Sequence, residues 1–218
     1  MTLVYTTNVL QSLQSIQNKI DIYLLDYTRF NPQVGQMKTW LSPEELSRVQ
    51  RYQSWAAQDR FILQHGLTRQ ILAAHLQTAP EAIEINAPKY GKPETKGLHF
   101  NISHSGDYLA VAVSREIPVG VDIESIERDI DLNHVAAIVL SDAERNKLFA
   151  LPAAQQKMTL LQTWVCKEAY WKLIGKGLTG MINQFEVAPT SQKDIYVMNG
   201  NSNEEVSHQI HSFSAGQQ

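Results

Sequence analysis

Two long segments of helical pattern dominate the chain, one from about Ser54 to Leu76 and one from about Ala153 to Ile174. Phe61, Ile62, Leu72 and Leu76 supply much of the first apolar face, and Leu160, Leu161, Trp164 and Val165 mark a stripe on the second. Each helix runs into a loop of turn residues and then into short strand-like segments. The loops are Ala87-Pro88-Lys89-Tyr90-Gly91-Lys92-Pro93 and Gly175-Lys176-Gly177, the second a helix C-cap. The order of helix, loop and strands occurs twice while residue identity does not repeat, which suggests duplication. The expected class is α+β, with two similar-sized lobes, each a sheet backed by helices. The boundary is expected near Ile117: a polar extension over 1–19, an N-terminal lobe over 20–117 and a C-terminal lobe over 118–218.

Local signals fill in this frame. Ile20-Asp21-Ile22-Tyr23-Leu24-Leu25 alternates and then pairs two apolar residues, as a strand would. Ser42 is placed as an N-cap, Pro43 at the first helical position and Glu45 at the capping-box spacing. Leu98 to Ile102 and Tyr108 to Val113 read as strands joined by the turn Ser103-His104-Ser105-Gly106-Asp107. Val121-Asp122-Ile123-Glu124 reads as a strand after the Pro118-Val119-Gly120 break. Helix is expected from about Leu132 to Phe149, broken near Ser141, and strands at Gln184 to Val187 and Asp194 to Val197. The tail from Asn199 is polar and weakly patterned.

Composition removes several classes. With 43% hydrophobic residues the chain can build a globular core. A balance of 19 basic against 22 acidic residues excludes a general nucleic-acid-coating surface. No apolar run approaches membrane-spanning length, and the start lacks the basic and apolar regions of a signal peptide. The single cysteine, Cys166, cannot form an internal disulfide, so a reducing, cytoplasmic setting is expected.

Three constellations carry candidate chemistry. Asp122 and Glu124, two apart on the expected strand, share a face, where their repulsion would be relieved by a shared divalent cation. Oxygen-only ligation by few carboxylates suits Mg²⁺; two solvated carboxylates on an exposed strand end are the plainer alternative. Glu168 and Lys172 continue the line of Trp164 on the second long helix, where an acid/base or metal role competes with an ordinary i,i+4 pair. Asn101-Ile102-Ser103-His104-Ser105-Gly106 gathers hydroxyls, an imidazole and backbone N–H groups, either as an anion-binding nest or as simple turn capping. Lys89, Lys92 and Lys96 add positive charge nearby, and Arg48, Arg51 and Arg60 add more. No G-x-S-x-G elbow, Walker A sequence or G-x-G-x-x-G is present. His65, His75, His99, His134, His208 and His211 form no metal-ligand spacing.

Taken in order, Gly91-Lys92-Pro93, Phe100-Asn101-Ile102-Ser103-His104-Ser105, Gly120-Val121-Asp122-Ile123-Glu124 and Trp164-Val165-Cys166-Lys167-Glu168-Ala169-Tyr170-Trp171-Lys172, followed by Gly175-Lys176-Gly177-Leu178, resemble the 4′-phosphopantetheinyl transferases of the surfactin-synthetase-activating (Sfp) type. The resemblance extends from about Ile20 to Val187. Trp-x-x-Lys-Glu-Ala is similar to the subgroup serving fatty-acid, polyketide, glycolipid and lysine pathways. The resemblance implies a single-chain pseudo-dimer of two α+β lobes with the active site at their interface. It implies transfer of the phosphopantetheine arm of coenzyme A to a serine of an apo acyl or peptidyl carrier protein, with release of adenosine 3′,5′-bisphosphate. Asp122, Glu124 and Glu168 would hold Mg²⁺, with Mn²⁺ as an alternative. Glu168 would deprotonate the carrier serine, directly or through a metal-bound water, with Asp122 and Lys172 completing the catalytic set. Lys172, Ser103, His104, Lys92, Arg60 and Arg48 would contact the coenzyme, His104 at the 3′-phosphate. A monomer is expected, with no nucleic acid or membrane as partner. A Mg²⁺-dependent nucleotide pyrophosphate hydrolase and a non-catalytic coenzyme A-binding protein are the competing readings. Two departures stand out: Glu45 occupies a position where relatives often carry a basic residue, and the chain stops at Gln218 where relatives commonly continue into another strand, so that either the second lobe lacks an edge strand or the sequence is truncated.

Overall fold

A computed structural model describes residues 14–16, 20–86, 88, 91–175, 182–189, 194–199 and 210–211. Lys89, Lys176 and Gly177 lie outside the described residues. The chain divides into two compact units between Val119 and Gly120.

The first unit carries an antiparallel sheet built from β1 (Gln14–Ile16), β2 (Ile20–Asp26), β3 (His99–Ser105) and β4 (Tyr108–Ser114), in the order β1-β2-β4-β3. β1 falls within the polar N-terminal extension, where composition does not announce a strand. Its helices are α1 (Val34–Lys38), α2 (Pro43–Val49) and α3 (Trp55–Leu76). Leu63, Leu67, Ile71 and Leu72 of α3 share one core with Phe100, Leu109, Val111 and Val113 of the β3–β4 hairpin. The alternation of Leu109, Val111 and Val113 puts all three on the same sheet face.

The hairpin turn is tighter than expected. Ser105 pairs with Tyr108, so Ser103, His104 and Ser105 belong to β3 and only Gly106 and Asp107 turn the chain. Gly106, with φ of 55°, supplies the left-handed conformation that a two-residue turn requires and that most residues resist. Tyr27 locks this tip: its N–H donates to the Asp107 carbonyl at 3.0 Å and its hydroxyl to the Gly106 carbonyl at 2.8 Å.

The second unit contains α4 (Leu132–Val139), α5 (Asp142–Phe149) and α6 (Ala153–Ile174). A sheet of β5 (Phe185–Pro189), β6 (Asp194–Asn199) and β7 (Ile210–His211), antiparallel in that order, completes it. β7 lies in the tail that the sequence leaves without pattern. The break expected near Ser141 is there, and α6 ends at Gly175 in the left-handed region. Val121 to Glu124, in contrast, are not a strand. Gly120 explains why: a Cβ on it would lie 2.1 Å from the Ala169 carbonyl oxygen and 2.6 Å from the Leu173 nitrogen. The backbone at 120 rests directly on α6 instead of adding to a sheet.

Both units use one device at the same place. Ser42 and Glu45 form a capping box on α2, and Ser141 and Glu144 form one on α5. In each, the glutamate also meets a buried cation on the long helix: Arg69 at 2.7 Å and Lys167 at 2.5 Å. Arg69 and Lys167 are each the fifteenth residue of a 22-residue helix. Both cations also donate to carbonyls, Arg69 to Ile83 at 2.5 Å and Lys167 to Val139 at 2.9 Å. Glu144 further accepts from the Val187 N–H at 2.9 Å, tying the cap to β5. Burial pushes the Lys167 pKa down against the pull of Glu144. Burial likewise opposes ionisation of Glu45, but His65, the Ser42 N–H and Arg69 prevail and hold it at about 2.

Three outcomes follow from these contacts. Lys167→Met leaves the Glu144 carboxylate buried without its cation and should cost about 3–5 kcal/mol in urea denaturation; a loss below about 1 kcal/mol would contradict the pairing. Gly120→Ala cannot be accommodated without moving the 120–124 segment, and a loss of about 2–3 kcal/mol is expected by the same measurement. Glu45 has a depressed pKa, so its contribution is present above the ordinary glutamate range and disappears as pH falls from there towards about 2. Glu45→Gln should flatten the stability-versus-pH curve in that acid window, as read from unfolding midpoints.

Candidate active site

The contact of Gly120 with α6 brings the two acidic motifs of the second unit together. Lys172, near the end of α6, donates to Asp122 Oδ1 at 2.6 Å. Glu168, one turn earlier, is half-buried. Burial raises its pKa first and the Asp122 charge second; the Trp164 indole N–H and Lys172 act the other way, and Glu124 raises it again. Glu168 therefore feels the charges of Asp122 and Glu124, which come from a separate stretch of chain. Asp122 also acts on Cys166, whose thiol is pushed up to about 12, mainly by burial.

The segment after Glu124 turns back on itself. The Glu127 N–H donates to Ser125 Oγ at 3.2 Å and the Arg128 N–H to the Ser125 carbonyl at 3.1 Å. This turn brings the Arg128 guanidinium onto Glu124 as an ion pair, with its carbon 4.9 Å from the centre of the Trp164 ring. The i,i+4 spacing of Glu124 and Arg128 is visible in the sequence, but it signals a pair only once this turn is known.

The three carboxylates offer oxygen donors only, the chemistry a hard divalent cation takes. Lys172 and Arg128 stand on two of them. Among the described residues no group of three His, Cys, Asp or Glu side chains is already arranged to hold a metal ion. The donor set fits such an ion by chemical type.

In the first unit, Ser103 is buried and His104 exposed, on opposite faces of β3. The expected anion nest of turn N–H groups is thus replaced by strand side chains, because the turn proper is only Gly106-Asp107. Arg60, exposed on α3, acts electrostatically on Tyr27, which bonds that same hairpin tip. Lys92 donates to the Val119 carbonyl, and burial lowers its pKa. Arg48 is exposed on α2, its guanidinium carbon 4.9 Å from the centre of the Phe61 ring, which in turn stacks on His65 at 3.9 Å. Glu45, the departure from the expected basic residue, has its carboxylate committed to the helix cap, His65 and Arg69.

Known proteins resemble this chain in sequence. A profile of the 4′-phosphopantetheinyl transferase superfamily matches residues 118–216, and one of the N-terminal part of such transferases matches 29–116. The chain is 28% identical to the 4′-phosphopantetheinyl transferase HetI of a Nostoc species over 185 residues, 82% of this chain and 78% of that one. It is 33% identical to the transferase psf-1 of Bacillus pumilus over 169 residues, 76% of this chain and 71% of the relative. With Sfp of Bacillus subtilis it shares 30% identity over 152 residues, 68% and 66% of the two chains. The chain belongs to the 4′-phosphopantetheinyl transferase family, in its Sfp-type branch.

Proposed function

We propose that this enzyme moves the 4′-phosphopantetheine arm of coenzyme A onto a serine hydroxyl of an apo acyl or peptidyl carrier protein, with Mg²⁺, and releases adenosine 3′,5′-bisphosphate. The observation that carries the reading is the seating of Gly120 on α6, which sets Asp122 against Lys172 and within electrostatic reach of Glu168.

The chemistry asks for charge neutralisation and positioning more than for covalent catalysis. The serine oxygen bonds to the phosphorus bearing the pantetheine arm, and the bond from that phosphorus to the adenosine bisphosphate oxygen breaks. Glu168 accepts the serine proton: a half-buried carboxylate with a raised pKa is a stronger base than a solvated one. Lys172 neutralises charge on the departing phosphate. Asp122, Glu124 and Glu168 would hold the cation, which supplies charge neutralisation at the pyrophosphate when bound. His104 and Ser103 bind coenzyme phosphates, His104 the 3′-phosphate. Lys92, Arg60 and Arg48 supply further contacts, Arg60 beside the hairpin that carries His104 and Ser103. The recurrence of capping box, buried cation and 22-residue helix supports reading the two units as copies of one α+β lobe within a single chain.

The test is incubation with coenzyme A, Mg²⁺ and an apo carrier protein, followed by mass spectrometry of the carrier. A mass gain of one phosphopantetheine arm is expected, and EDTA should abolish it. Failure across several carriers would count heavily against the proposal. Adenosine bisphosphate released without a carrier would indicate a pyrophosphate hydrolase, and EDTA-insensitive coenzyme binding without transfer a non-catalytic binder. Glu168→Gln should lower turnover by about 10²-fold or more while the melting temperature stays near that of the unmodified chain.

A further inference from the structure

One cation outside the assigned motifs stands against the carboxylates. Arg128 pairs with Glu124, whose side chain is 11% exposed, while Arg128 itself is 46% exposed. Its guanidinium also lies over Trp164, 4.9 Å from the ring centre. Trp164 thereby adjoins two carboxylates: its face meets the Arg128 that pairs with Glu124, and its side chain favours the ionised form of Glu168. With Lys172 on Asp122, two of the three carboxylates carry a cation supplied by this chain. A cation that draws on Glu124 must therefore compete with a guanidinium already there, held by a backbone turn and a ring face.

We propose that Arg128 is the resident counter-ion of Glu124, a positioning residue that holds this carboxylate beside Trp164 in the metal-free protein and competes with the incoming divalent ion, so that it sets the affinity of the site for that ion. The inference rests on the metal-site reading given above. A guanidinium suits the role because it is charged at every working pH and stacks flat on an aromatic face. Its partial exposure lets it swing aside into water without losing all solvation.

The test uses the metal-free 218-residue chain and Mn²⁺ alone, with the free-ion signal followed by electron paramagnetic resonance. Arg128→Gln removes the competitor and should bind Mn²⁺ about 3- to 10-fold more tightly than the unmodified chain. Arg128→Lys keeps the charge but not the planar stack, and should fall between the two. The rise in melting temperature on saturation with Mn²⁺ should be larger in the glutamine variant, because its metal-free state has lost an ion pair. Equal or weaker Mn²⁺ binding by folded Arg128→Gln overturns the inference. If that variant does not fold, Arg128→Lys decides, and affinity equal to or weaker than the unmodified chain overturns the inference there. Saturable binding that Glu168→Gln weakens but Arg128 substitutions leave unchanged overturns this inference alone. An unmodified chain with no saturable Mn²⁺ site, or one indifferent to Glu168→Gln, overturns the metal-site reading and this inference with it.

Discussion

The missing side chain at position 120 is the constraint on which the rest of the site depends. Backbone lies on backbone there, with Gly120 against the Ala169 carbonyl and the Leu173 amide nitrogen. A contact this close sets the register between the 120–124 segment and α6 without relying on a flexible side chain. Asp122 then falls opposite Lys172, and Glu124 reaches the neighbourhood of Glu168 and Trp164. Acidic residues so close together repel, and the arrangement persists because Lys172 and Arg128 are built in beside them. The same contact makes α6 a single rigid ruler. Trp164, Glu168 and Lys172 are spaced four residues apart on it, roughly a turn each, so displacing one end of the segment misplaces every partner.

Each unit also contains a buried ion pair with a second duty. Glu45 and Glu144 close helix caps and neutralise cations in the interior. Desolvating such charges is costly, and the cost is offset only where every lone pair and proton finds a partner. Lys167 illustrates this: beyond Glu144 it reaches the carbonyls of Val139 and Ile182, and its ammonium sits 5.1 Å from the centre of the Phe185 ring. These pairs fasten the short capped helix, the long helix and the following 3₁₀ turn into one body. In the second unit that body includes the helix bearing Glu168 and Lys172. Glu45, which breaks the expected basic pattern, is thus explained by the interior and not by the coenzyme.

What was legible in the sequence was mostly local. Ser42 and Glu45 announce a capping box because its parts sit three residues apart, and the two long helices are marked by their own starts and stops. The β3–β4 pairing was visible as two apolar runs, but its turn was placed too early, because the hydroxyls of Ser103 and Ser105 resemble turn chemistry while the register extends the strand through them. Val121 to Glu124 alternate like a strand, yet α6 takes up their backbone. Lys167 stands next to Glu168 in the sequence. It points a third of a turn away, into the interior, where only the distant Glu144 gives it a reason to be there. Arg128 stands four residues from Glu124, but that spacing marks a pair only where the local turn forms, and its other partner, Trp164, lies on a helix far along the chain, a contact decided by tertiary packing.

The environment of Cys166 has a consequence for redox chemistry. The co-substrate of the proposed reaction ends in a sulfhydryl, and its oxidised form is a disulfide able to modify accessible cysteines. Exchange with a disulfide requires the attacking sulfur to be ionised. Cys166 is buried one position before Lys167 on α6, and with its thiol at about 12 it is almost wholly protonated at neutral pH. As the one cysteine of the chain, it therefore resists forming mixed disulfides with small thiols, and disulfide exchange leaves the helix that carries Glu168 and Lys172 unmodified at this position.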